Sequence, residues 1–177
     1  MGSGAEWFCA GTKAPAGKAE LLVGRYYPDF KRDPEHFQIK FLGGTQKVTK
    51  GVCESTPEET LYREMLEEVL APGGRVMSCE QIDAATVSLP GHKKCFYLIT
   101  LEGPLRESDL YEIEYDVRLK RDRTEKLSPP FYMDVRELWH AIFPGHREAL
   151  RQIIYYLAAR RPEWAWAAAD LAEELAA

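Results

Sequence analysis

The segment from Thr56 to Val69 constrains what this chain can fold into more than any other, because it predicts an amphipathic helix with a defined start. Thr56 is followed three residues later by Glu59, which is the pattern of a capping box. Pro57 falls at the first helical position, where its missing N–H costs nothing. At about 100° per residue, one arc of this helix is apolar and is expected to pack on a sheet. The residues of that arc are Leu61, Tyr62, Met65, Leu66 and Val69.

A second side of the same helix is predicted to carry Glu64, Glu67 and Glu68, with Arg63 beside them. Like charges at these spacings repel each other by a few tenths of a kcal/mol per pair on a free helix. Hard cations such as Mg²⁺ or Mn²⁺ prefer oxygen ligands and would reverse that repulsion. A metal held there could bridge phosphate oxygens and activate a water molecule. A solvated acidic helix face is the alternative interpretation.

The remaining periodicity indicates a mixed α/β chain, with strands on both sides of one central helix and helices gathered at the C-terminus. Strands are predicted at 6–12, 20–27, 36–42, 95–101 and 111–115, with one or two more between 76 and 89. Helices are predicted at 135–143, at 146–160 and after Pro162. The stretches 45–51 and 118–130 are expected to be polar connections.

Phe41-Leu42-Gly43-Gly44, a loop, Thr-Pro-Glu-Glu and R-E-x-x-E-E follow one another in this order. Together they resemble the Nudix box, G-x5-E-x7-R-E-U-x-E-E-x-G-U, in which U is a bulky aliphatic residue. The local resemblance covers residues 41–71. It implies a Nudix-type α/β/α sandwich with a mixed sheet and a C-terminal helical extension, divided into a Nudix-like domain at 1–160 and the extension at 161–177.

The resemblance also implies a role for each matching residue. Glu67 and Glu68 match the paired metal ligands, and Glu64 matches the glutamate that ligates metal or assists water activation. Arg63 matches the arginine that holds a glutamate by a charge-assisted hydrogen bond. Gly44 matches the box glycine, whose carbonyl can join the metal shell. The implied catalytic set is Glu64, Arg63 and Glu67, and the implied metal ligands are Glu64, Glu67, Glu68 and Gly44, around Mg²⁺ or Mn²⁺.

The loop before the helix departs from the box. Ser55 stands eight residues before Arg63, where the first box glutamate belongs, and Glu54 could take that place through a one-residue bulge. The box glycine would fall at Thr49, so aligning Gly44 with it requires a five-residue insertion. A chain with such a remodelled loop either hydrolyses an unusual substrate or only binds a nucleotide.

Two further departures concern glycines. Gly51 offers a rival alignment for the box glycine, with a two-residue deletion. Leu70 stands where the box has a glycine after the helix, and the Pro-Gly-Gly sequence at 72–74 could supply that turn slightly later.

Several residues outside the box are candidates for binding or catalysis, although an ordinary structural role is favoured for each. An extra acid could be Glu112 or Glu114, phosphate could meet His92 or His146, and the basic loop at 118–123 could also meet phosphate. Trp164 and Trp166 could close the core, cover a dimer interface or stack on a base.

Composition excludes some classes of function. A net charge of −5 argues against a broad nucleic-acid surface, but not against a nucleotide whose phosphates meet a metal. The four cysteines are scattered, with no C-x-x-C pair, which is typical of a reducing compartment. No apolar run approaches the roughly 20 residues that span a bilayer. We therefore expect a cytoplasmic protein without a membrane segment.

The leading hypothesis is a Mg²⁺- or Mn²⁺-dependent hydrolase of a nucleoside diphosphate linked to another moiety. Its expected partner is a nucleotide-type small molecule, and a homodimer is left open. The alternative is a catalytically weak Nudix-fold module that binds a nucleotide or a protein. A more distant alternative is an unrelated α/β protein with an acidic helix face.

Overall fold

The computed structural model describes residues 2–8, 19–26, 38–49, 52–68, 76–102 and 130–176. Its strands are β1 (Gly2–Phe8), β2 (Glu20–Tyr26), β3 (Gln38–Lys40), β4 (Leu42–Thr45), β5 (Val48–Thr49), β6 (Val52–Cys53), β7 (Val76–Gln81), β8 (Val87–Leu89), β9 (His92–Leu101) and β10 (Phe131–Asp134). Its helices are α1 (Pro57–Glu68), α2 (Val135–Ala141), α3 (Pro144–Arg160) and α4 (Ala165–Ala176), with 3-10 turns at Asp83–Ala85 and Pro162–Trp164.

The main sheet is mixed. Its strand order is β4-β1-β9-β7, with β8 also paired to β9. Strand β1 runs parallel to β9 and antiparallel to β4, whereas β7 and β8 run antiparallel to β9. A second, antiparallel sheet has the order β10-β2-β3, and β5 pairs with β6 as a small hairpin.

Strand β9 shows how the layers form, because its side chains alternate between two hydrophobic clusters. Cys95, Tyr97 and Ile99 pack on one side with Leu61 and Met65 of α1. Side chains on the other side pack with α3, α4 and the turn before α4, in a cluster that includes Phe96, Leu98, Leu150, Trp164 and Leu171. The predicted α/β/α sandwich with a mixed sheet is therefore confirmed, and Trp164 closes its core.

Helix α1 begins at Pro57 as predicted, with a modified cap. The Glu59 N–H donates to Oγ1 of Thr56 across 3.2 Å, which is the expected half of the capping box. The Glu59 carboxylate accepts the N–H of Ser55 at 2.6 Å, one residue before the partner that a standard box would use. The helix start is therefore tied to the loop that precedes it.

The buried face of α1 differs from the predicted apolar arc. Thr60, Leu61, Glu64 and Met65 are buried, whereas Tyr62 is 55% exposed. The prediction that Tyr62 packs on the sheet is therefore wrong. The helix is rotated so that Thr60 and Glu64 face the protein interior. Burial of these polar side chains is favourable because both form hydrogen bonds at the site.

The predicted end of the third strand is also wrong. Gly43 and Gly44 do not terminate it, because they pair with β1 in a strand that continues to Thr45. Gly43 has a φ of 130°, a conformation that glycine adopts without a side-chain penalty. The connection predicted at 45–51 contains β5, and the first strand is Gly2–Phe8 instead of 6–12.

Several predictions lie outside the described residues. They concern the turn at 72–74, the strand at 111–115 and the loop at 118–130 up to residue 129. Across the described ranges, no helix is both long and apolar enough to cross a bilayer.

His146, near the start of α3, belongs to the core. Its ring stacks on Phe41 with 5.7 Å between ring centroids, and it meets Phe96 edge-on at 5.5 Å. The Phe41 N–H donates to Nδ1 across 3.3 Å, and the Lys94 ammonium lies 3.3 Å from Nε2. Burial, followed by the charges of Lys94 and Lys40, lowers the pKa of His146 well below 6.5. A fully buried ring cannot reach a phosphate, so that hypothesis is wrong for His146.

The free energy of unfolding should fall as the pH drops below 6.5, because the unfolded chain then binds a proton at His146 that the folded chain does not. The loss is at most about 1.4 kcal/mol per pH unit and stops at the folded-state pKa. Urea unfolding between about pH 5 and pH 7.5 measures it. His146→Gln should flatten this pH dependence, whereas His140→Gln at the exposed surface should keep it. Equal slopes in the wild type and His146→Gln would contradict this assignment.

Candidate functional site

The loop that follows the β5–β6 hairpin brings Glu54 to Arg63. Oε1 of Glu54 accepts from Nε of Arg63 at 2.5 Å, and Oε2 accepts from Nη2 at 3.3 Å. The Thr60 hydroxyl donates to Oε2 at 2.8 Å, and the Lys47 N–H donates to it at 3.1 Å. The hydrogen bond from Arg63 is the main reason that the pKa of Glu54 is lowered from 4.5 to about 2. Glu54 is therefore held as an ionised carboxylate.

This geometry distinguishes the two candidates for the first box glutamate. Glu54 pairs with Arg63, whereas the N–H and hydroxyl of Ser55 both donate to Glu59. Of these two residues, Glu54 is therefore the one that faces Arg63, and the loop before it contains the β5–β6 hairpin, in which Val48 pairs with Cys53. The remodelled loop keeps a glutamate on the arginine.

Arg63 joins three parts of the fold. Besides Glu54, its guanidinium donates from Nη1 to Oε1 of Glu64 at 2.5 Å and from Nη2 to the carbonyl oxygen of Thr45 at 2.9 Å. The side chains of Arg63, Glu54 and Glu64 are 20%, 16% and 10% exposed, so solvent and salt screen these charges less than at an open surface. Arg63 thus connects the loop, the end of β4 and helix α1.

Glu64 lies between α1 and the sheet, directly against Gly44. A Cβ atom at Gly44 would lie 2.5 Å from Cδ of Glu64 and 2.9 Å from Oε2, so a side chain here would fit only if the carboxylate shifted. The backbone of β4 can approach the carboxylate only because this side chain is absent. Gly44 therefore lies beside Glu64, and its assignment as the box glycine stays a prediction, because its rival Gly51 lies outside the described residues.

We expect Gly44→Ala to destabilise the protein by roughly 1–3 kcal/mol, because the new methyl group overlaps the carboxylate of Glu64. Urea unfolding of the variant measures the loss. The double variant Gly44→Ala/Glu64→Ala lacks the carboxylate that the methyl group overlaps. In the Glu64→Ala background, Gly44→Ala should therefore cost much less free energy of unfolding than it does in the wild type. An equal cost in both backgrounds would contradict the contact.

Glu67 and Glu68 lie in α1 at three and four residues after Glu64, so the three positions share one side of the helix. The side chains of Glu67 and Glu68 are not among those that the structure describes. Among the side chains that are described, no group of three or more His, Cys, Asp or Glu residues could hold a metal ion. Metal ligation by Glu67 and Glu68 therefore stays a prediction.

The other predicted candidates are either outside the described ranges or in contact with another part of the fold. Glu112, Glu114, Leu70 and the basic loop at 118–123 lie outside the described residues. Trp166 lies under the guanidinium of Arg136, which is 4.7 Å from its ring centroid. That contact ties α4 to the start of α2, so a cation in the same chain already covers part of this ring.

Two partners of the site were missed at the sequence level. Thr60 is fully buried and donates to Glu54, although threonine inside a helix is usually no more than tolerated. Tyr97 donates from its hydroxyl to Glu58 at 2.9 Å and fastens the start of α1 to β9. A signal for Thr60 was present, because it is a small polar residue on the glutamate-bearing side of the helix.

No protein-family model matches the sequence, and no curated protein matches it. The fold is nevertheless similar to solved structures. For the NUDIX domain of Shewanella oneidensis NrtR complexed with ADP ribose, the TM-score is 0.52 at 13% identity, over 88% of this chain and 87% of that chain. For a mutT/nudix family protein from Listeria innocua, it is 0.52 at 14% identity, over 90% of this chain and 95% of that one.

A chain in the complex between the C-terminal domain of mouse MUTYH and human PCNA is also similar, with a TM-score of 0.50 at 12% identity, over 92% of this chain and 90% of that chain. Identities this low show a shared fold and leave activity open. Similarity to NUDIX and mutT/nudix structures over most of both chains, together with the order of strand, glycine pair, loop and acidic helix, leads to one conclusion: this chain has the Nudix fold.

Proposed function

We propose that this protein is a divalent-metal-dependent hydrolase that cleaves the phosphoanhydride of a nucleoside diphosphate linked to another moiety. The observation that carries the proposal is the Glu54–Arg63–Glu64 network. A part-buried arginine fixes Glu64 on the side of α1 that also carries Glu67 and Glu68. A solvated acidic helix face would not need a buried glutamate, whose side chain is only 10% exposed.

The residues present fit a hard divalent cation. Glu64 supplies carboxylate oxygens, and the side-chain-free Gly44 lets the backbone of β4 approach them. Mg²⁺ and Mn²⁺ favour such oxygen ligands, and Glu67 and Glu68 would complete the set. A divalent metal held by these residues would supply Lewis-acid chemistry, neutralising phosphate charge and lowering the pKa of a water molecule.

The chain's own residues would then divide the work. Glu64 would accept the proton of the attacking water, while its hydrogen bond from Arg63 holds the carboxylate in one orientation. Glu54 would act indirectly, because its ion pair aligns the guanidinium of Arg63 and thereby positions Glu64. In this scheme Arg63 contacts a carboxylate on each side and would not contact the substrate.

Turnover of a substrate panel tests this proposal. ADP-ribose belongs in the panel because the similar NrtR domain was solved with it, alongside dinucleotides, nucleotide sugars and nucleoside triphosphates. We expect hydrolysis of at least one diphosphate-linked compound with Mg²⁺ or Mn²⁺, and none with excess chelator. Hydrolysis that is unchanged by the chelator would contradict the proposal, as would no hydrolysis of any compound with either metal.

One observation favours a second function, a catalytically weak module that binds a nucleotide or a protein. The β5–β6 hairpin extends the loop beside the site, and Val48 on it is 68% exposed. A similar fold also occurs in a complex between two proteins. Binding of the panel compounds without turnover would support this second function, and a homodimer in solution would be compatible with either.

A further inference from the structure

A cation between two aromatic rings lies on the sheet at some distance from the glutamates. The Lys40 ammonium is 4.6 Å from the ring centroid of Tyr26 and 5.0 Å from that of Phe143. Tyr26 and Lys40 are diagonal neighbours across β2 and β3, because Lys40 pairs with Gly24. Phe143 is fixed beside them by its N–H, which donates to the carbonyl oxygen of Ile39 at 2.7 Å.

This cluster and the candidate metal site lie on the same side of the chain where it passes from β3 to β4, two strands that belong to different sheets. Ile39 and Phe41 point into the cluster around α3 and α4, and Leu42 points into the cluster around α1. Lys40, Leu42 and Gly44 therefore follow one another on the α1 side. At about 3.3 Å per residue, the chain from Lys40 to Gly44 spans at most roughly 13 Å.

We propose that Tyr26, Lys40 and Phe143 bind the nucleobase of the substrate whose phosphates are cleaved beside Gly44 and Glu64. The inference rests on the proposed function and names the part of the substrate that lies farthest from the metal. This upper limit on the separation is close to the length of an extended nucleoside diphosphate. A base without its phosphates would meet only this part of the site.

Each member of the cluster has a defined task. Tyr26 and Phe143 supply the flat apolar surfaces on which a planar base stacks. Lys40 donates hydrogen bonds and has no acceptor, so it favours a ring nitrogen or carbonyl oxygen at the base edge. All three side chains are half-buried, so stacking needs little further ordering of the site.

The opposite face of the same strands offers a matched control. The Arg25 guanidinium lies 4.8 Å from the ring centroid of Phe131, which is again a cation on an aromatic ring. Arg25 pairs with Ile39, so it lies on the face away from α1. This second pair has the same chemistry and the wrong position for a base whose phosphates lie at Gly44.

The experiment compares ADP with pyrophosphate, which carries the phosphates without the base. Calorimetric titration in Mn²⁺ gives the dissociation constants for the wild type, Tyr26→Leu, Lys40→Gln and the control Arg25→Gln. We expect Tyr26→Leu to weaken ADP binding by about 10-fold or more, because base stacking on an aromatic ring is worth about 1–3 kcal/mol. Lys40→Gln should weaken it several-fold. Pyrophosphate binding should change in neither variant, and Arg25→Gln should match the wild type for both ligands.

The inference would be overturned if the wild type did not bind ADP more tightly than pyrophosphate. It would also be overturned if Tyr26→Leu weakened the binding of both ligands equally, or if Arg25→Gln weakened ADP binding as much as Lys40→Gln does. Thermal unfolding of each variant identifies a misfolded protein, and Tyr26→Phe, which keeps the ring, should then retain ADP binding. Selective loss of ADP binding, without turnover of any compound, would support the nucleobase site and contradict the hydrolase function. Turnover together with equal losses for ADP and pyrophosphate would support the hydrolase function and contradict the nucleobase site.

Discussion

Replacing Glu67 by Gln should reduce metal-dependent turnover by about 10³-fold while leaving the fold intact. The glutamine keeps the shape of the side chain and removes the negative charge that a hard cation requires. Loss of metal-supplied transition-state stabilisation of several kcal/mol corresponds to roughly this factor, since each 1.36 kcal/mol is tenfold in rate. The measurement is kcat with the best compound of the panel, at saturating Mn²⁺, with circular dichroism to check the fold.

The variants Glu68→Gln and Glu173→Gln bracket this result. Glu68 belongs to the same proposed ligand set and should lose activity by a similar factor. Glu173 is exposed on α4, far along the chain from the site, and should retain full turnover. A Glu67→Gln protein as active as Glu173→Gln would remove Glu67 from the metal site.

Replacing Arg63 by Gln should both destabilise the protein and slow the reaction. Glu54 and Glu64 would then lose their charged donor, at a cost of about 2 kcal/mol for part-buried groups. Turnover should drop by roughly 10- to 100-fold, the range expected for residues that orient metal ligands. Urea unfolding and steady-state kinetics measure the two effects separately.

The pH dependence gives the same variant a distinct signature. In the wild type, the depressed pKa of Glu54 stabilises the fold fully above pH 4.5, and this contribution is lost as the pH falls towards 2. Arg63→Gln should raise the pKa of Glu54 towards 4.5 and remove most of that dependence. Carboxylate titration by NMR follows it directly. An unchanged Glu54 titration would show that the two groups are not paired in solution.

Ser55→Ala is the matched control, because its side chain contacts only Glu59 among the hydrogen bonds that the structure describes. It should leave turnover nearly unchanged, whereas Glu54→Gln should approach the loss seen in Arg63→Gln. The double variant Glu54→Gln/Arg63→Gln should lose much less than the sum of the single losses, since both residues act through one ion pair. The assignment of Glu54 as the partner of Arg63 would be wrong if the turnover losses of the two single variants added up in the double variant. It would also be wrong if Ser55→Ala lost more turnover than Glu54→Gln.

Most of the longer elements could be predicted from local patterns alone. The capping box and Pro57 locate the start of α1, and the apolar run along 95–101 identifies the central strand β9. Tyr62 shows the limit of this reasoning. The helical wheel placed it with Leu61, but the actual rotation of the helix depends on Glu64 fitting against Gly44, which is a tertiary contact. The amphipathic pattern predicts which broad side of a helix is buried, but it does not decide whether a residue at the border of that side, such as Tyr62, is buried.

The site was only partly predictable for a related reason. Spacing along the chain places Ser55 where the first box glutamate belongs, with Glu54 one position further from Arg63. The β5–β6 hairpin absorbs the additional residues, and its pairing of Val48 with Cys53 decides which residue leaves the hairpin towards the arginine. Two-residue strands leave almost no periodic signal in a sequence. Loop geometry of this kind therefore becomes visible only in the folded structure.

Direct binding of Mn²⁺, followed by electron paramagnetic resonance, tests the central claim that one side of α1 binds a divalent cation beside Gly44. The wild type should remove Mn²⁺ from solution in a saturable way, and the double variant Glu67→Gln/Glu68→Gln should not. Glu173→Gln should bind as the wild type does. Equal binding by the wild type and the double variant, or no binding by the wild type at millimolar Mn²⁺, would contradict the account.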